Sequence, residues 1–353
     1  RQCLAVLFLL STFADMIRDL EDKSLAGRNS FGVQASCRQF IEYETTEDLR
    51  TVFADMICRH EKWMVLSGGN NVLFTADYDG VILHPVSDGI EITAQMPDHT
   101  LVRAQAGVEW DDFVAWCVEH ELWGAENLSL IPGKVGAAPI QNIGAYGAEA
   151  AGIIRSVEMF CTETLNTLTL DAAHCGFGYR ESIFKHSLKG RAIVTAVNFR
   201  LSRKPSPNLG YGALREHVNE LGSPTLANIR HAVMDIRRSK LPDPSVTGNA
   251  GSFFKNPIVD ATLAASLKER FGELPVYATA QEDKVKIAAG WLIEKAGWKG
   301  KSEGAAAVHD RQALVLVNRG GATGEQILAL ARHIQDDVQA MFGIRIETEV
   351  NIV

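Results

Sequence analysis

The sequence lacks the features that mark several large classes of protein. It has no run of about 18 uninterrupted apolar residues, the length that a membrane-spanning helix needs. Its 35 basic and 43 acidic residues form no block of like charge and give a net charge of −8, which argues against nucleic acid held along its phosphates. No membrane and no nucleic-acid partner is therefore predicted, although small anions could bind at local sites.

Cysteine is scarce, and the cysteines are scattered. They form no CxxC pair and no Cys/His cluster with zinc-ligand spacing, so no metal site is predicted. We predict buried thiols in a reducing compartment and therefore a cytoplasmic protein. The six residues are Cys3, Cys37, Cys58, Cys117, Cys161 and Cys175.

The common nucleotide-binding signatures are missing as well. No GxGxxG occurs, which excludes the usual Rossmann fingerprint. The triplet Gly300-Lys301-Ser302 resembles the end of a P-loop, but Lys295 stands where the upstream glycine is required. A nucleotide would have to be held by another kind of loop.

What is present is the composition of a folded chain with several domains. At about 150 residues per domain, 353 residues suggest two or three domains, and the 46% apolar and 22% charged fractions are those of globular proteins. An apolar run at 4–10, preceded by Arg1, faintly resembles a signal peptide, but we interpret it as a helix or an extension. Prolines and glycines at 205–226 predict a linker or loop.

Hydrophobic patterns predict a mixed fold. Apolar runs at 63–66, 72–74 and 81–83, separated by glycine turns, indicate strands and a β-rich or α+β first domain. A helix is predicted at 110–119, with Trp110, Phe113, Val114 and Cys117 on one face.

The second half of the chain is predicted to be richer in helices. They are expected at 226–238, 261–271, 286–296 and 324–342. Thr323 and Gln326 form a capping box at the start of the last one, and Gly297 and Gly343 stand at C-cap positions.

A glycine turn at 67–71, with the sequence Ser-Gly-Gly-Asn-Asn, lies between two predicted strands. Its glycines would let main-chain N–H groups converge on an anion. The alternative is a plain hairpin turn.

The segment 131–147 is rich in glycine, alanine and proline and low in charge. Main chain could approach a large flat ligand closely here, and Gln141 and Asn142 would offer amide groups to its edges. The alternative is a tight turn between domains.

The segment 177–185 sets a cation among aromatic residues. Arg180 could stabilise negative charge that develops in a site shielded from water. An arginine stacked on Phe or Tyr for stability alone is an equally common arrangement.

The segment 248–257 contains Ser252 among small residues. Its surroundings do not resemble the G-x-S-x-G elbow of a serine nucleophile, so proton donation suits it better than acyl transfer. The alternative is a hydroxyl bonded to its own backbone in a turn.

The C-terminal segment 346–353 has the alternation of a strand. Glu347 and Glu349 share one face, and Val350 and Ile352 share the other. A carboxyl group there could take part in acid–base chemistry, although an exposed polar face is the default.

In this order, these five segments resemble the UDP-N-acetylenolpyruvoylglucosamine reductase family, flavoenzymes of peptidoglycan precursor synthesis. Each motif alone is weak, whereas the ordered set is specific. Tyr211 resembles the substrate-loop tyrosine of one subclass. The closest stretches are 130–147, 177–186, 240–244, 248–257, 288–293 and 305–309.

The resemblance implies an α+β fold. An FAD-binding domain of the vanillyl-alcohol oxidase type, in two lobes, would precede a third α+β domain that binds substrate. The implied parts are an N-terminal extension at 1–24, FAD-binding lobes at 25–90 and 91–225, the substrate domain at 226–346 and a strand at 347–353 that returns to the active site.

The resemblance also implies site residues, which fall into three groups. Arg180, Ser252 and Glu349 would be catalytic, and Tyr179, Tyr211, Lys240 and Asn256 would contact the substrate. FAD, bound non-covalently, would have its diphosphate held by Ser67, Gly68, Gly69, Asn70 and Asn71, and its flavin lined by Gly133, Ala138, Ile140, Gln141, Asn142, Gly144 and Arg237.

The implied reaction uses NADPH as co-substrate and reduces UDP-N-acetylglucosamine enolpyruvate to UDP-N-acetylmuramate. Arg180 and Glu349 would hold charge on the substrate carboxylate, and Ser252 would donate a proton. The family resemblance further suggests a monomer.

Some positions depart from the family pattern. Ser67 stands for a usual glycine, Asn70 for a usual serine and Asn351 for a common arginine after Glu349. Two rival functions stay open at this point: another flavin oxidase or dehydrogenase on the same scaffold, and a catalytically silent protein that binds nucleotide sugars.

Overall fold

The computed structural model describes residues 19–59, 61–279 and 281–353. The apolar run at 4–10 lies outside the described residues, as does the predicted extension up to residue 18. Contacts divide the chain into two compact units. Of the described residues, unit 1 comprises those within 19–23, 37–68 and 79–237, and unit 2 comprises those within 24–36, 69–78 and 238–353. The five-part division implied by the family resemblance stays a prediction.

The described chain contains both strands and helices. The strands are β1 Asp19–Ser24, β2 Ser36–Tyr43, β3 Trp63–Val65, β4 Val72–Leu73, β5 Tyr78–Pro85, β6 Ile90–Gln95, β7 His99–Gln105, β8 Gly144–Ala145, β9 Ala148–Glu149, β10 Ile154–Cys161, β11 Thr167–Asp171, β12 Ala192–Ser202, β13 Gly248–Ser252, β14 Ile258–Asp260, β15 Val276–Ala278, β16 Lys284–Ile287, β17 Ser302–Glu303, β18 Ala306–Val308, β19 Val315–Asn318 and β20 Asn351–Ile352. The helices are α1 Thr46–Arg59, α2 Trp110–Glu119, α3 Leu214–Leu221, α4 Leu226–Lys240, α5 Ala261–Phe271, α6 Ala289–Lys295 and α7 Gly324–Phe342.

Unit 1 is built on two main sheets. The first has the order β1-β2-β5-β3, with β3 parallel to β5. The second is antiparallel, with the order β11-β10-β12-β7-β6. Helix α2 contributes Trp110, Phe113, Val114 and Cys117 to the core of this unit, and all four are buried, which confirms the predicted apolar face. The Phe113 ring stacks on Phe199 of β12 at 4.3 Å between centroids.

Unit 2 has smaller sheets and the longest described helix. Its antiparallel sheets have the orders β13-β19-β18-β17 and β14-β16-β15, and β20 pairs with β4 in parallel. Helix α7 packs on β18 and β19 and buries residues at intervals of three and four, the spacing of one helix face. Its predicted capping box is confirmed, because Thr323 accepts from the Gln326 N–H and the Gln326 side chain accepts from the Thr323 N–H.

Two expectations about elements are wrong. The segment predicted as one helix at 286–296 divides into strand β16 and helix α6, because a short apolar run fits either period and the partner strands β14 and β15 decide. The region predicted as a linker at 205–226 contains α3, which buries Leu214 and Val218.

Within the described residues, no helix is both long enough and apolar enough to cross a membrane. Cys37, Cys117, Cys161 and Cys175 carry free thiols.

Candidate active site

The glycine turn at 67–71 is not a hairpin. Strand β3, which precedes it, pairs with β5, whereas β4, which follows it, pairs with β20 near the C-terminus. The two flanking strands therefore have different partners, and the plain hairpin alternative is wrong. Ser67 and Gly68 belong to unit 1, and Gly69 to Asn71 belong to unit 2.

Gly69 occupies a position that excludes a side chain. Its φ is +65°, and a Cβ there would lie 2.0 Å from the carbonyl oxygen of Arg28. The Ser30 N–H donates to the Gly69 carbonyl at 3.0 Å and so fixes this turn against the segment 25–33. Only glycine satisfies both the backbone conformation and the close approach.

Two serine hydroxyls, one in each unit, fit a polar ligand. Within the described part of the chain, the Oγ atoms of Ser67 and Ser30 are buried and have no hydrogen-bond partner. A buried hydroxyl without a partner is costly, and an external acceptor such as a diphosphate oxygen would satisfy it. Ser67, in the turn predicted to bind FAD, therefore fits a diphosphate oxygen of the cofactor. Ser30 was missed in the sequence, where it belongs to none of the five segments.

The C-terminal segment is held on the same turn. The Asn71 amide donates to the Glu349 carbonyl at 3.2 Å, and the Asn351 main chain and side chain both donate to the Asn71 carbonyl, at 3.1 and 2.9 Å. In unit 2 the structure thus brings Glu349 to a residue predicted to hold the cofactor.

Ser252 and Glu349 lie on adjacent stretches of backbone. The Glu349 N–H donates to the carbonyl of Phe253, which follows Ser252, at 2.8 Å, and the Lys255 N–H donates to the Glu347 carbonyl at 2.9 Å. Main-chain pairing of this kind places two of the three predicted catalytic residues of the chain side by side in unit 2.

The local turn before Ser252 is closed by another side chain. Asn249 Oδ1 accepts from the Gly251 N–H at 2.9 Å. Ser252, the last residue of β13, pairs with Val315 of β19. The alternative of a serine turn at Ser252 stays a prediction.

The predicted strand at 346–353 is shorter than expected. It is regular only over β20, with an isolated bridge at Thr348. Val350 is buried but Ile352 is 38% exposed, so the expectation that they share one face is wrong. The backbone leaves Phe253 and joins β4 within these few residues, which breaks the alternation.

The predicted substrate contacts of unit 2 have different surroundings. Asn256 Oδ1 accepts from the N–H of Ala289 at 2.9 Å and so fixes the start of α6. Lys240 is exposed and is the last residue of α4. The Asn256 amide nitrogen and the Lys240 ammonium are the groups with which these residues could meet a nucleotide sugar.

In unit 1, the segment 131–147 packs its backbone tightly, as predicted. Asn142 is buried with a φ of +46°, and its amide donates to Glu149 at 2.8 Å and to the Gly178 carbonyl at 3.0 Å. Its Oδ1 accepts from the Ala151 N–H at 2.9 Å. The Asn142 side chain is thus engaged by the protein, so the prediction that it contacts the flavin now depends on its main chain.

The other predicted flavin-lining residues surround this point. Gly133, Ala138, Ile140, Gln141 and Gly144 all lie in unit 1, with Gly144 in strand β8 and Ala138 buried. The whole segment lies inside one unit, which does not fit the alternative of a turn between the two units.

Arg180 is held against this segment. Its Nη2 donates to the Gly144 carbonyl at 3.0 Å, and its guanidinium lies 5.4 Å from the ring centre of Tyr179. Its own φ is +57°, a conformation that a non-glycine residue adopts rarely and that clusters at functional sites. Lys185 holds the strained backbone by donating to the Arg180 carbonyl at 2.8 Å.

The loop that carries Tyr211 is docked on the β8–β9 hairpin. The rings of Tyr211 and Tyr146 meet edge to face at 5.9 Å, and Asn208 donates to the Gly147 carbonyl at 3.0 Å. Asn127, which belongs to none of the five segments, donates to the carbonyls of both Tyr146 and Asn208 at 2.8 Å.

A buried cation stands beside these tyrosines. Burial lowers the pKa of the Arg237 guanidinium, and the nearby Tyr146 and Asp111 partly oppose this shift. Its Nε is buried without a partner among the described residues, so it fits an acceptor on an external ligand, as predicted for the flavin. Burial likewise raises the pKa of Tyr146.

An ion pair connects α2 to the helix that carries Arg237. Arg230 of α4 binds the Asp111 carboxylate with two hydrogen bonds, at 2.6 and 2.9 Å. Burial alone would raise the pKa of Asp111, but Arg230 and the Leu130 N–H outweigh burial and lower it.

Comparison with known proteins gives consistent matches. The family described as "UDP-N-acetylenolpyruvoylglucosamine reductase, C-terminal domain" matches residues 243–353, and the family described as "FAD binding domain" matches 38–163. UDP-N-acetylenolpyruvoylglucosamine reductase of Bacteroides fragilis is 46% identical over 330 residues, which cover 94% of this chain and 98% of the relative. That of Burkholderia lata is 47% identical over 334 residues, which cover 94% and 95%.

A solved structure is similar over nearly the whole chain. UDP-N-acetylenolpyruvylglucosamine reductase from Thermus caldophilus superposes with a TM-score of 0.67 at 22% identity, covering 95% of this chain and 98% of that one. Together with the FAD-binding family match, this confirms the predicted α+β fold with an FAD-binding domain.

We expect Gly69→Ala to lower the free energy of unfolding by about 2–4 kcal/mol, since the new methyl group would collide with the Arg28 carbonyl. Urea unfolding of the purified protein measures the change. Gly27→Ala is the matched control, because a Cβ there meets nothing within 4 Å, and its effect should stay below about 0.5 kcal/mol. Equal losses in the two variants would contradict the steric explanation.

The Asp111–Arg230 pair predicts a pH-dependent contribution to stability. A carboxyl whose pKa is lowered on folding stabilises fully above its unfolded pKa of about 3.9, and that stabilisation is lost as the pH falls through the folded value. Asp111→Asn should therefore cost about 1–3 kcal/mol at pH 7 and clearly less at pH 3.

Denaturant unfolding at both pH values tests this difference. Asp112→Asn, at the exposed neighbouring position of α2, is the control and should be nearly neutral at both. A cost of Asp111→Asn that does not depend on pH would show that the ion pair is not its source.

Proposed function

Because the chain belongs to the UDP-N-acetylenolpyruvoylglucosamine reductase family, we propose that its Arg180, Ser252 and Glu349 carry out the catalysis of that family. The protein is an FAD-dependent oxidoreductase of peptidoglycan precursor synthesis. It uses NADPH to reduce UDP-N-acetylglucosamine enolpyruvate to UDP-N-acetylmuramate.

The cofactor would be held mainly by main chain. Residues 67–71 would bind the diphosphate through N–H groups, with the Ser67 hydroxyl as a further donor. The segment from Gly133 to Gly144 would line the flavin, and the buried Arg237 would supply a positive charge near it. When bound, the flavin supplies hydride exchange between NADPH and substrate.

Ser252 would donate the proton that completes the reduction. Hydride addition to the terminal carbon of the enolpyruvyl group leaves negative charge at the carbon beside the carboxylate. A serine is a weak acid in water, but a carbanion is basic enough to accept its proton. The hydroxyl oxygen would then need reprotonation from solvent.

Arg180 and Glu349 would stabilise the charge before the proton arrives. The guanidinium offers paired donors to the substrate carboxylate, and Glu349 in its protonated form offers one more. Arg180 is pre-oriented for this task by its bond to the Gly144 carbonyl. Donors fixed in advance need no reorganisation during the reaction.

The remaining predicted residues would bind the nucleotide sugar. Lys240 would meet its diphosphate, and Tyr179, Tyr211 and Asn256 would contact the rest of the substrate. Tyr211 is 48% exposed, so part of this residue is accessible to a ligand.

The backbone contact between Phe253 and Glu349 is the observation that supports this assignment most directly. It supports the proposal because Ser252 and Glu349, the proposed proton donor and charge-stabilising carboxyl, lie on adjacent stretches of backbone in unit 2.

We also propose a monomeric enzyme in the cytoplasm. All the proposed site residues are supplied by one chain, so the site needs no second copy. The four free thiols support a reducing compartment. No nucleic-acid or membrane partner is proposed.

We expect the purified protein to carry a yellow flavin that anaerobic NADPH bleaches and that UDP-N-acetylglucosamine enolpyruvate restores. Absorbance at the flavin band follows both changes. Bleaching of the flavin by an alcohol or sugar substrate without NADPH, followed by return of colour with oxygen, would indicate an oxidase on the same scaffold. Substrate binding without any return of colour would indicate a silent binding protein.

Ser252→Ala should slow flavin reoxidation by the substrate about 10²- to 10⁴-fold, because the proton donor is lost, while reduction by NADPH changes little. Stopped-flow absorbance separates the two half-reactions. Ser266→Ala, on the exposed face of α5, is the matched control and should leave both rates unchanged. Unchanged reoxidation in Ser252→Ala would refute the proposed role.

A further inference from the structure

Asn351 forms an unusually complete contact with one carbonyl group. Its main-chain N–H and its side-chain amide both donate to the Asn71 oxygen, at 3.1 and 2.9 Å. The Asn71 amide donates in return to the Glu349 carbonyl at 3.2 Å. The result is a closed ring of hydrogen bonds between the turn at 69–71 and the C-terminal segment, all within unit 2.

The main chain of Glu349 is fixed from two sides by these contacts. Its N–H donates to the Phe253 carbonyl, and its carbonyl accepts from Asn71. The next residue, Val350, is buried at 3% exposure and anchors the segment. Because both backbone groups of Glu349 are bonded, the direction of its side chain depends on the position of Asn71.

Beyond Asn351 the chain is tied down again. The Val353 N–H donates to the Leu73 carbonyl at 2.9 Å, and the Val353 carbonyl accepts from the Thr75 N–H at 2.7 Å. These bonds hold β20 to β4 without the Asn351 side chain. The hydrogen bond from the Asn351 amide to the Asn71 carbonyl is therefore not needed to attach the strand. Asn351 is itself exposed, so replacing it removes little packing.

We propose that Asn351 is a positioning residue that couples the cofactor-binding turn to Glu349. Through the Asn71 carbonyl, its amide fixes the turn in the one arrangement that presents Glu349 to the substrate. This inference rests on the proposed function, which gives Glu349 its role. It adds a residue that touches neither substrate nor cofactor. It also predicts that FAD bound at the turn affects the segment that carries Glu349.

The test begins with Asn351→Ala, which removes the side-chain hydrogen bond and keeps the main-chain one. Reoxidation of the reduced enzyme by substrate should slow about fivefold, the rate equivalent of one neutral hydrogen bond, while reduction by NADPH changes by less than about twofold. Asn351→Gln, which keeps the amide donor on a longer side chain, should recover part of the loss. Ile352→Ala, at the next exposed position, is the control and should behave as the parent protein.

A second readout does not depend on turnover. In the parent apoprotein, addition of FAD should slow amide hydrogen exchange in the peptide 343–353, because the occupied turn stiffens the strand bonded to it. In Asn351→Ala, FAD should still bind, as measured by quenching of its fluorescence, but this protection should fall by at least half. A purely structural role would raise exchange equally with and without FAD.

A double-mutant cycle separates the failure of this inference from that of the proposed function. If Asn351 acts through Glu349, the variant Glu349→Ala/Asn351→Ala should reoxidise no more slowly than Glu349→Ala alone. Multiplicative losses, or equal slowing of both half-reactions in Asn351→Ala, would overturn the positioning role. Unimpaired reoxidation in Glu349→Ala would overturn the role of Glu349 itself, and the inference about Asn351 with it.

Discussion

The close approach of Gly69 to the segment 25–33 is the constraint on which the site half in unit 2 depends. The Asn29 side chain fixes that segment by bonding the carbonyls of Leu25 and Val33 and the Val33 N–H. The backbone of Ser30 then bonds two other segments. Its N–H donates to the Gly69 carbonyl, and its carbonyl accepts from the Asn249 N–H at 2.9 Å. Because Asn249 begins the turn that leads to Ser252, one loop places both the cofactor-binding turn and the proposed proton donor by main-chain bonds. A side chain at position 69 would push this loop away and disturb both.

In unit 1 the β8–β9 hairpin has a comparable task. Its Gly144 carbonyl accepts from Arg180, and its Gly147 carbonyl accepts from Asn208 in the loop that carries Tyr211. Asn127 connects the hairpin to the loop, because its side-chain amide donates to one carbonyl of each. The same two short strands therefore position Arg180, the proposed charge-stabilising cation, and Tyr211, the proposed substrate contact. In both units a backbone element of few residues, rather than a large side-chain core, determines where the functional groups stand.

The parts that could be predicted from sequence are those written in local patterns. Helix α2 follows from four apolar residues at helical spacing, and the cap of α7 follows from Thr323 and Gln326 three residues apart. What could not be predicted depends on partners distant in the chain. The turn at 67–71 was open to a hairpin interpretation because nothing local shows that β4 pairs with residues about 280 positions later. The roles of Asn142 and Asn127 could not be predicted for the same reason. The sequence does not show whether an asparagine side chain bonds a ligand or distant parts of its own chain.

The departures from the family pattern can be understood from this backbone-centred design. If the diphosphate is bound by main-chain N–H groups, replacing glycine by Ser67 or serine by Asn70 changes side chains beside the ligand without changing the groups that hold it. Position 69 has no such freedom, because both its φ and the Arg28 carbonyl exclude a Cβ. Position 351 illustrates the intermediate case. An arginine, common there in relatives, and the Asn351 of this chain can both donate to a carbonyl, so the donor is retained while the reach of the side chain changes.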